Sequence, residues 1–380
     1  MFAFDFLLTG LLVFLIAGSI TFYLACAWYT YRFFTTPEPP AKDFMPPVSI
    51  LVPVRGLDAG AWDNGASLCQ QHYSKYEVWF GVMDPNDPAV PLLQQLVAAF
   101  PDRARLLTDL PPLGINHKDS NLSYLLARAA HEHIVLVDSD IRVDPDYLHR
   151  IVTPLADPQV GLVTCAFVGK RPRSLEAALA ALGRCVDFLP GTLIARSLDG
   201  GLRFAVGATM ATRKDTLEKA GGLHFNRIGS DYNLGKRVAA VGYWVELSRY
   251  VMESDTGREG ISEVFQRELR WARTIRFNRG AQYYAMIFCY GTAYCLPLLL
   301  LSDGANWAIA LSIVTWGVRL VAAAIAIVYT RRPGLATWLW TLPLRDFLSL
   351  MVWGIGAFGD RVYWRGRWLR IEGNGIIKET

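Results

Sequence analysis

The chain has 380 residues, of which 52% are hydrophobic and 19% are charged, and its formal net charge is +4. This composition is too apolar for an ordinary soluble enzyme and too charged for a protein made only of membrane helices. The net charge is modest overall, and its local concentration near the apolar segments matters more. We expect no nucleic acid among the partners of this protein.

The N-terminal segment is the first candidate membrane span. Residues 6–29 carry no charge, and a run of this length can cross a hydrocarbon core of ~30 Å. A cleaved signal peptide is the alternative, but the run exceeds the usual apolar core of roughly 7–15 residues and no Lys or Arg precedes it. Arg32 follows closely and favours a cytoplasmic C-terminal end. Thr36 to Pro40 is predicted to form a stiff linker.

The next region predicts one substantial domain in which strands alternate with helices. In its first half, strands are predicted at 47–53, 76–83, 104–107 and 133–137, and helices at 91–100 and 121–131. This alternation indicates a parallel sheet, whose ligands bind beyond the carboxyl ends of the strands. Asp84 and Asp138 stand at two such ends.

The second half of this region leads into the C-terminal apolar runs. Strands are predicted at 160–167, 204–211 and 243–247, and helices at 174–188, 232–241 and 261–279. The last helix continues into an apolar run at 282–301, and a third run at 306–329 contains only Arg319 as a charge. Arg331 and Arg332 follow it, which predicts a return to the cytoplasmic side.

A fourth apolar run, 336–358, is interrupted by Pro343, Arg345 and Asp346. If it crossed fully, the arginines between 361 and 370 would lie on the far side, against the positive-inside tendency. A broken or re-entrant segment would avoid this. Both alternatives stay open on the sequence.

Two acidic motifs mark the strand ends. Asp138 and Asp140 follow a buried strand, where paired carboxylates repel each other unless a cation lies between them. Carboxylate oxygens suit Mg²⁺ or Mn²⁺; the alternative is a turn capped by aspartates. Asp84 lies in Asp-Pro-Asn-Asp-Pro, which alone is typical of a turn. Beside the paired carboxylates in the same sheet, it predicts contact with a nucleobase or ribose.

Two further polar residues lie near helix starts. Lys118, in the loop before a helix, can meet a diphosphate as a point charge, or it can simply be solvated. Asp231 precedes a predicted helix and can act as its N-cap, as a general base, or as both. A base has to approach the acceptor hydroxyl within hydrogen-bond distance.

The helix at 261–279 carries a basic motif. Arg267 and Arg270 are three residues apart and adjacent on one helical face, so the pair can clamp a leaving diphosphate. The later arginines, at 273, 276 and 279, drift around the helix by ~60° per step. We expect these three to meet anionic lipid head groups. The alternative is a basic helix beside the membrane with no catalytic part.

Other cofactor motifs are missing from the sequence. The six cysteines are scattered without a CxxC pair, which predicts free thiols in a reducing compartment. His131-Glu132-His133 lacks the HExxH spacing of zinc enzymes. No GxGxxG follows the first strand and no GxxxxGK[ST] is present, so dehydrogenase and P-loop functions lack their phosphate cradles.

In this order the motifs resemble those of the ceramide glucosyltransferases and their bacterial relatives, including hopanoid-linked glycosyltransferases. The similarity runs from about Pro46 to the tail and rests on PPVSILVPVRG, MDPNDPA, GINHKDSNL, DSDIRVDPDYL, SDY, QRELRW and YWRGRWLRIEGNG. It implies an α/β fold with a GT-A-like nucleotide-sugar-binding domain, a mainly parallel sheet, and N- and C-terminal transmembrane helices. It also implies a UDP-sugar donor and inversion at the anomeric carbon.

The resemblance also assigns roles. By it the catalytic base is Asp231, the substrate-binding residues are Asp84, Lys118, Asp138, Arg267, Arg270 and Trp271, and the ligands of a divalent metal, Mg²⁺ or Mn²⁺, are Asp138 and Asp140. Two positions depart from the family pattern. Ser230 stands where many relatives have Glu, and Cys185 to Pro190 reads CVDFLP where animal members have a His-Pro element.

We therefore predict an inverting transferase that moves a hexose, expected to be glucose, from a UDP-sugar to a membrane-lipid hydroxyl, with ceramide as the expected acceptor. A hopanoid glycosyltransferase, a processive polysaccharide synthase and a non-catalytic nucleotide-sugar-binding membrane protein are the alternatives. The predicted parts are an anchor and linker (1–36), a GT-A-like domain (37–257), an interfacial helix (258–281), membrane helices (282–360) and a basic tail (361–380). We expect an integral membrane protein, with a cytoplasmic catalytic domain, in a bacterial inner membrane.

Overall fold

The computed structural model describes residues 2–37, 43–58, 60–169, 171–254 and 260–379. Its strands are β1 Val48–Val54, β2 Tyr76–Val82, β3 Ala104–Leu107, β4 His133–Val137, β5 Ile141–Arg142, β6 Val160–Val168, β7 Thr209–Arg213, β8 Trp244–Ser254, β9 Arg361–Trp364, β10 Arg367–Glu372 and β11 Ile376–Glu379. Its α-helices are α1 Phe2–Thr35, α2 Ala61–Cys69, α3 Val90–Ala99, α4 His117–Arg128, α5 Tyr147–Val152, α6 Leu175–Leu182, α7 Leu189–Leu198, α8 Lys214–Lys219, α9 Ser230–Ala240, α10 Ile261–Arg279, α11 Gly291–Leu301, α12 Asn306–Tyr329 and α13 Leu342–Gly356.

The central sheet is mixed, with the strand order β3-β2-β1-β4-β7-β6-β8-β5. The first four strands in this order run parallel to one another, whereas β7 is antiparallel to both β4 and β6. Apolar cores cover both faces: α2, α3 and α5 pack on one and α4, α7 and α9 on the other. This explains why β1 is a continuous buried run, because a parallel strand inside two helical layers has no solvent face.

One predicted strand is displaced. The segment predicted at 204–211 forms a strand only at Thr209–Arg213. Gly207 interrupts the extended conformation with φ +39°, and a Cβ at this position would lie 1.9 Å from a carboxylate oxygen of Asp231. The chain therefore bends around Asp231 before β7 begins.

The membrane-type helices agree in part with the predicted runs. By length and composition, α1 and α12 are candidate spans, and α11 with the helical segment ending at Cys289 makes a pair bent by 54°. The segment Leu175–Leu198 is also apolar enough, but 78% of its 18-residue apolar stretch is buried inside the protein. Phe33, near the end of α1, packs into the core beside the sheet, so α1 joins the sheet domain directly.

The fourth apolar run is a broken segment. It forms a 3-10 turn, Pro333–Thr341, followed by the short helix α13. Its start is held at the sheet domain, where Arg332 donates to the carbonyl oxygens of Val251 and Met252 at 2.9 and 3.0 Å. Its end leads into the tail sheet β9–β11, in which the Ile377 amide donates to Asn226 O at 3.0 Å. Both ends therefore lie beside the sheet domain, as the re-entrant alternative requires.

A buried ionic network explains the charges in this run. Arg319 of α12 bonds Asp346 and Asp187, at 2.6 Å each. Arg345 bonds Glu268 at 2.6 Å and Asp187 at 3.2 Å. Charged groups inside an apolar bundle are stable only when they are paired. The network ties α10, α12, α13 and the π-helical turn Gly183–Phe188 together.

Candidate active site

The strand ends meet at a cavity of about 320 Å³, within the size range of small-ligand sites. Asp84, two residues after the end of β2, is exposed at the edge of the cavity. The cavity lies beyond the carboxyl ends of β1 and β2, where a parallel sheet binds ligands. Its lining also includes Val54, Arg55, Asp87, Leu110, Pro112, His117, Lys118, Asn121, Trp364, Arg365 and Arg367.

Lys118 stands in the first turn of α4, whose N-cap is Asn116. The Asn116 side chain accepts from the Asp119 amide at 3.2 Å and orients this turn. The Lys118 ammonium lies 2.5 Å from Asp138. Burial lowers the pKa of Lys118, but the carboxylates of Asp138 and Asp231 outweigh it and raise the pKa. Lys118 is therefore a permanent cation at the cavity wall rather than a solvated surface lysine.

Asp138 and Asp140 form the acidic part of the site. Burial and the neighbouring Asp138 charge raise the pKa of Asp140 to about 6, and Asp58 adds to this effect. Ser139 donates to Asp58 at 3.2 Å and keeps that third carboxylate close. Such mutual repulsion fits a divalent cation, and Mg²⁺ or Mn²⁺ commonly takes one or two carboxylates and completes its shell with phosphates and water. No cluster of three or more protein ligands that could hold an ion occurs among the described residues.

Asp231 lies in the first turn of α9, two positions beyond the N-cap, so the interpretation of Asp231 as the N-cap is wrong. Gly229 occupies the cap position with φ +60°. Burial raises the pKa of Asp231, and Asp138 adds to the rise, whereas Lys118, the Tyr232 amide and Arg270 oppose it. A half-buried carboxylate with a raised pKa, next to cations, has the properties of a general base.

The motif of α10 faces this cluster. Burial lowers the pKa of Arg270 to about 10, the repulsion of Arg365 and Arg267 adds to this, and Asp231 and Asp138 oppose it. Arg270 therefore lies among the acidic residues of the site. Trp271 stacks on Phe188, with ring centroids 6.0 Å apart, and the Arg267 guanidinium lies 5.6 Å from the Trp271 ring. The structure thus places the motif between the acidic site and an aromatic cluster.

The three later arginines of α10 make protein contacts, contrary to the expectation that they meet lipid. Arg273 donates to Arg361 O, and Arg276 donates to Ala357 O and Gly359 O. Arg279 pairs with Asp199 at 2.7 Å. Arg273 and Arg276 thus contact the turn between α13 and β9, and Arg279 contacts the end of α7. The sequence alone could not predict that these segments lie beside α10.

Comparison with known proteins identifies the family of this chain. A sequence profile, glycosyl transferase family 21, matches residues 11–377. The chain belongs to this family.

Curated relatives of this family 21 chain carry ceramide glucosyltransferase names. Ceramide glucosyltransferase 3 of Caenorhabditis elegans is 25% identical over 245 residues, 60% of this chain and 50% of that protein. Ceramide glucosyltransferase of Gibberella zeae is 29% identical over 171 residues, 38% of this chain and 32% of that protein. The chain thus spans half or less of the length of these relatives.

A solved structure shows the same fold. A mannosyltransferase from Pyrobaculum calidifontis, in complex with GDP-Man and Mn²⁺, has a TM-score of 0.57 at 19% identity and covers 92% of this chain and 99% of its own. The predicted fold class, a GT-A-like α/β domain with membrane-type helices, is confirmed. The sheet is more mixed than the predicted mainly parallel one.

Sequence reasoning missed several residues of this family 21 site. Arg55 directly follows β1, so its position at a strand end could have identified it. Asp119 is buried beside Lys118, and burial raises its pKa to about 7, although Lys118 and a hydrogen bond with Ser230 oppose the rise. Trp364, Arg365 and Arg367 belong to the distant tail, and no local signal places them in the cavity.

Proposed function

We propose that this family 21 chain is an inverting glycosyltransferase that moves one hexose from a UDP-sugar to the hydroxyl of a membrane lipid. The observation that carries the proposal is the charge cluster in which Lys118 bonds Asp138 and both lie near Asp231 and Arg270. In this cluster, Lys118 is the proposed cation for the diphosphate and Asp231 is the proposed base for the acceptor hydroxyl. The proposed donor cavity adjoins this cluster through Lys118.

The proposed reaction is a single displacement. Asp231 takes the proton of the acceptor hydroxyl, the acceptor oxygen attacks the anomeric carbon, and the bond from that carbon to the diphosphate oxygen breaks. Negative charge grows on the departing diphosphate, where Lys118 and Arg270 stabilise it. Attack from the face opposite the leaving group inverts the anomeric configuration.

A divalent metal fits beside this reaction. Asp138 and Asp140 would hold it, since burial and the Asp138 charge still raise the pKa of Asp140 although Lys118 pairs with Asp138, and a divalent cation would relieve that repulsion. A bound Mg²⁺ or Mn²⁺ supplies Lewis-acid stabilisation of the diphosphate. Support comes from the structural neighbour, which was solved with GDP-Man and Mn²⁺.

The surroundings of the site support a lipid acceptor. The motif helix α10 is the first part of the bent apolar pair. Phe167, Phe188 and Trp271 form an aromatic cluster beside it. Ceramide is the preferred acceptor because the curated relatives are named ceramide glucosyltransferases. A hopanoid is the alternative, because CVDFLP departs from the animal pattern in the turn that carries Phe188.

We propose that the catalytic domain faces the cytoplasm. Arg32, Arg331 and Arg332 lie at the domain-side ends of α1 and α12, as the positive-inside tendency predicts. All six cysteines are free, which suits a reducing compartment. Placement in a bacterial inner membrane stays a prediction.

The test is a transfer assay with the purified full chain. UDP-glucose, other UDP-hexoses and GDP-mannose are each incubated with ceramide and hopanoid acceptors, and products are read by mass spectrometry. We expect one hexose per lipid and one UDP released for each product. A polymer of hexoses would favour the processive synthase, and nucleotide binding without any product would favour the non-catalytic alternative.

A further inference from the structure

The C-terminal hairpin contributes three residues to a cavity otherwise built by the sheet domain. Trp364, Arg365 and Arg367 line it together with Asp84 and Lys118. We propose that this hairpin, Trp364 to Arg367, is part of the donor site and that Arg365 binds the diphosphate of the nucleotide. The inference rests on the proposed function, since a nucleotide donor has to occupy the cavity.

The hairpin is firmly docked rather than loosely placed. Arg367 donates to Ile115 O at 2.8 Å, in the loop that leads to Lys118, and pairs with Glu379 at 2.7 Å. The Ile228 amide donates to Gly375 O at 2.9 Å. Beneath these bonds, an apolar cluster joins the tail to the sheet domain through Ile228, Val362, Leu369, Ile371 and Ile377. The tail thus holds its residues at a fixed place on the cavity wall.

Cations converge on this wall. Burial lowers the pKa of Arg55, and the charges of Arg365 and Arg367 lower it further, although Asp87 opposes them. The pKa of His117 is also lowered, first by burial and then by the charges of Arg367, Arg55 and Arg365, whereas Glu379 raises it. These groups repel one another across the cavity. A polyanion of the size of a diphosphate would relieve the repulsion, and planar guanidinium groups suit its oxygens.

The backbone at Arg365 points to a role for its side chain. Arg365 and Gly366 have φ of +49° and +85°, and they form a two-residue loop because Trp364 pairs with Arg367. Such loops favour Asn, Asp or Gly at the first position, where arginine is uncommon. An unfavourable residue held in a left-handed conformation indicates a functional constraint.

The hairpin also contacts the motif helix. The Arg270 guanidinium lies 5.7 Å from the Trp364 ring centroid, a cation–π distance. Arg270 is the arginine that lies near Asp231 and Asp138. The hairpin and α10 therefore form one continuous cationic wall that reaches from the cavity to the proposed base.

The experiment compares Arg365→Asn with the unsubstituted full chain in detergent. Asn tolerates the left-handed conformation, so the turn is kept while the charge is removed. Calorimetric titration measures the affinity for UDP, uridine, GDP and guanosine. Arg370→Gln is the matched control, because Arg370 is an exposed arginine of the same sheet that pairs only with Asp360 among the described residues. Arg365→Lys tests rescue by a retained charge.

We expect Arg365→Asn to weaken UDP binding by about tenfold, as the loss of one charge-assisted hydrogen bond predicts, and to leave uridine binding unchanged. Arg365→Lys should recover part of the affinity, and Arg370→Gln should change neither ligand. Unchanged UDP affinity in a folded Arg365→Asn variant, or an equal loss for uridine and UDP, would overturn the inference.

The two proposals fail separately. If the unsubstituted chain bound GDP and not UDP, the donor assignment would be wrong, and the same tenfold loss for GDP without a loss for guanosine would still support the role of Arg365. Normal transfer with normal UDP affinity in Arg365→Asn would overturn only the hairpin inference. Binding of neither nucleotide would overturn both.

Discussion

At the residue scale, Lys118 is the cation that most lowers the pKa of Asp231. Its ammonium lies 2.5 Å from Asp138 and opposes the burial that raises the pKa of Asp231. A base works only when it is deprotonated, so kcat should fall as pH drops through the raised pKa of Asp231. The acid limb of the pH profile should therefore lie above the ordinary aspartate range.

Lys118→Met should move this limb to still higher pH. Lys118 lowers the pKa of Asp231, so its removal lets that pKa rise, and kcat is lost earlier on acidification. The measurement is kcat against pH at saturating donor, with Lys219→Met, which removes an exposed lysine paired with Asp215, as the control. A limb that stays in place or moves to lower pH would contradict the assignment of Asp231 as base.

The carboxylate pair gives a second prediction at this scale. Chelation of divalent metal should stop turnover, and added Mn²⁺ or Mg²⁺ should restore it. Asp140→Asn should need a higher metal concentration for half-maximal rate, because one of two anionic ligands is lost. Asp63→Asn, which removes a surface partner of Arg142, is the control. Full activity in excess EDTA would rule out a required exchangeable metal.

At the element scale, the two parts of α10 contact different neighbours. Its first part carries Arg270 beside the site, and its second part, with Arg276, holds the turn between α13 and β9. Arg270→Ala should lower kcat by ~10²–10³-fold, as the loss of one preorganised donor does. Arg276→Ala should instead lower thermal stability and leave most of kcat.

Steady-state kinetics and thermal unfolding of both variants, in neutral and anionic lipid, test this division. Because the partners of Arg276 are protein carbonyls, its removal should not produce a salt-sensitive loss of liposome association. Equal losses of kcat in Arg270→Ala and Arg276→Ala would contradict the different roles of these two arginines.

The same scale shows what the sequence could predict. The helix predicted at 261–279 matches α10, and β3 and β4 match their predicted ranges, because each is bounded by local signals. The strand at 204–211 was shortened by the close approach of Gly207 to Asp231, a contact between distant segments. The sequence did not decide whether the run at 336–358 crosses fully or is broken, because the partners of Arg345, Asp187 and Glu268, are far away in sequence.

In the candidate site, too, the sequence predicted the residues that follow local patterns and missed those that distant segments contribute. Asp84, Asp138, Asp140 and Asp231 stand at strand or helix ends that local patterns predict. The tail residues that line the cavity could not be predicted, because only tertiary packing brings Arg365 to the wall opposite the sheet domain.

At the scale of the whole molecule, the helices set the orientation of the site. The turn at 302–305 lies at the far end of α11 and α12, near the N-terminal half of α1, whereas Tyr329 packs on Phe34 beside the sheet domain. The tail sheet packs on the sheet domain.

Labelling of introduced cysteines in sealed vesicles tests this arrangement. The variants Lys378→Cys and Asp84→Cys should react with an impermeant thiol reagent from the same side of the membrane.

The variant Ala305→Cys should react only from the opposite side of the membrane. The chain without an introduced cysteine gives the background labelling, because most of its native thiols are buried. Labelling of Lys378→Cys and Ala305→Cys from one side would contradict the re-entrant arrangement of the fourth run.

The most direct measurement compares Asp231→Asn with the unsubstituted chain for both hexosyl-lipid formation and UDP binding. Asn keeps the shape of the side chain and cannot accept the acceptor proton, while the proposed donor cavity and Lys118 are untouched. The account predicts that transfer to lipid is abolished and that UDP affinity is kept. Transfer at most of the original rate would show that Asp231 only stabilises its helix, and would contradict the central claim.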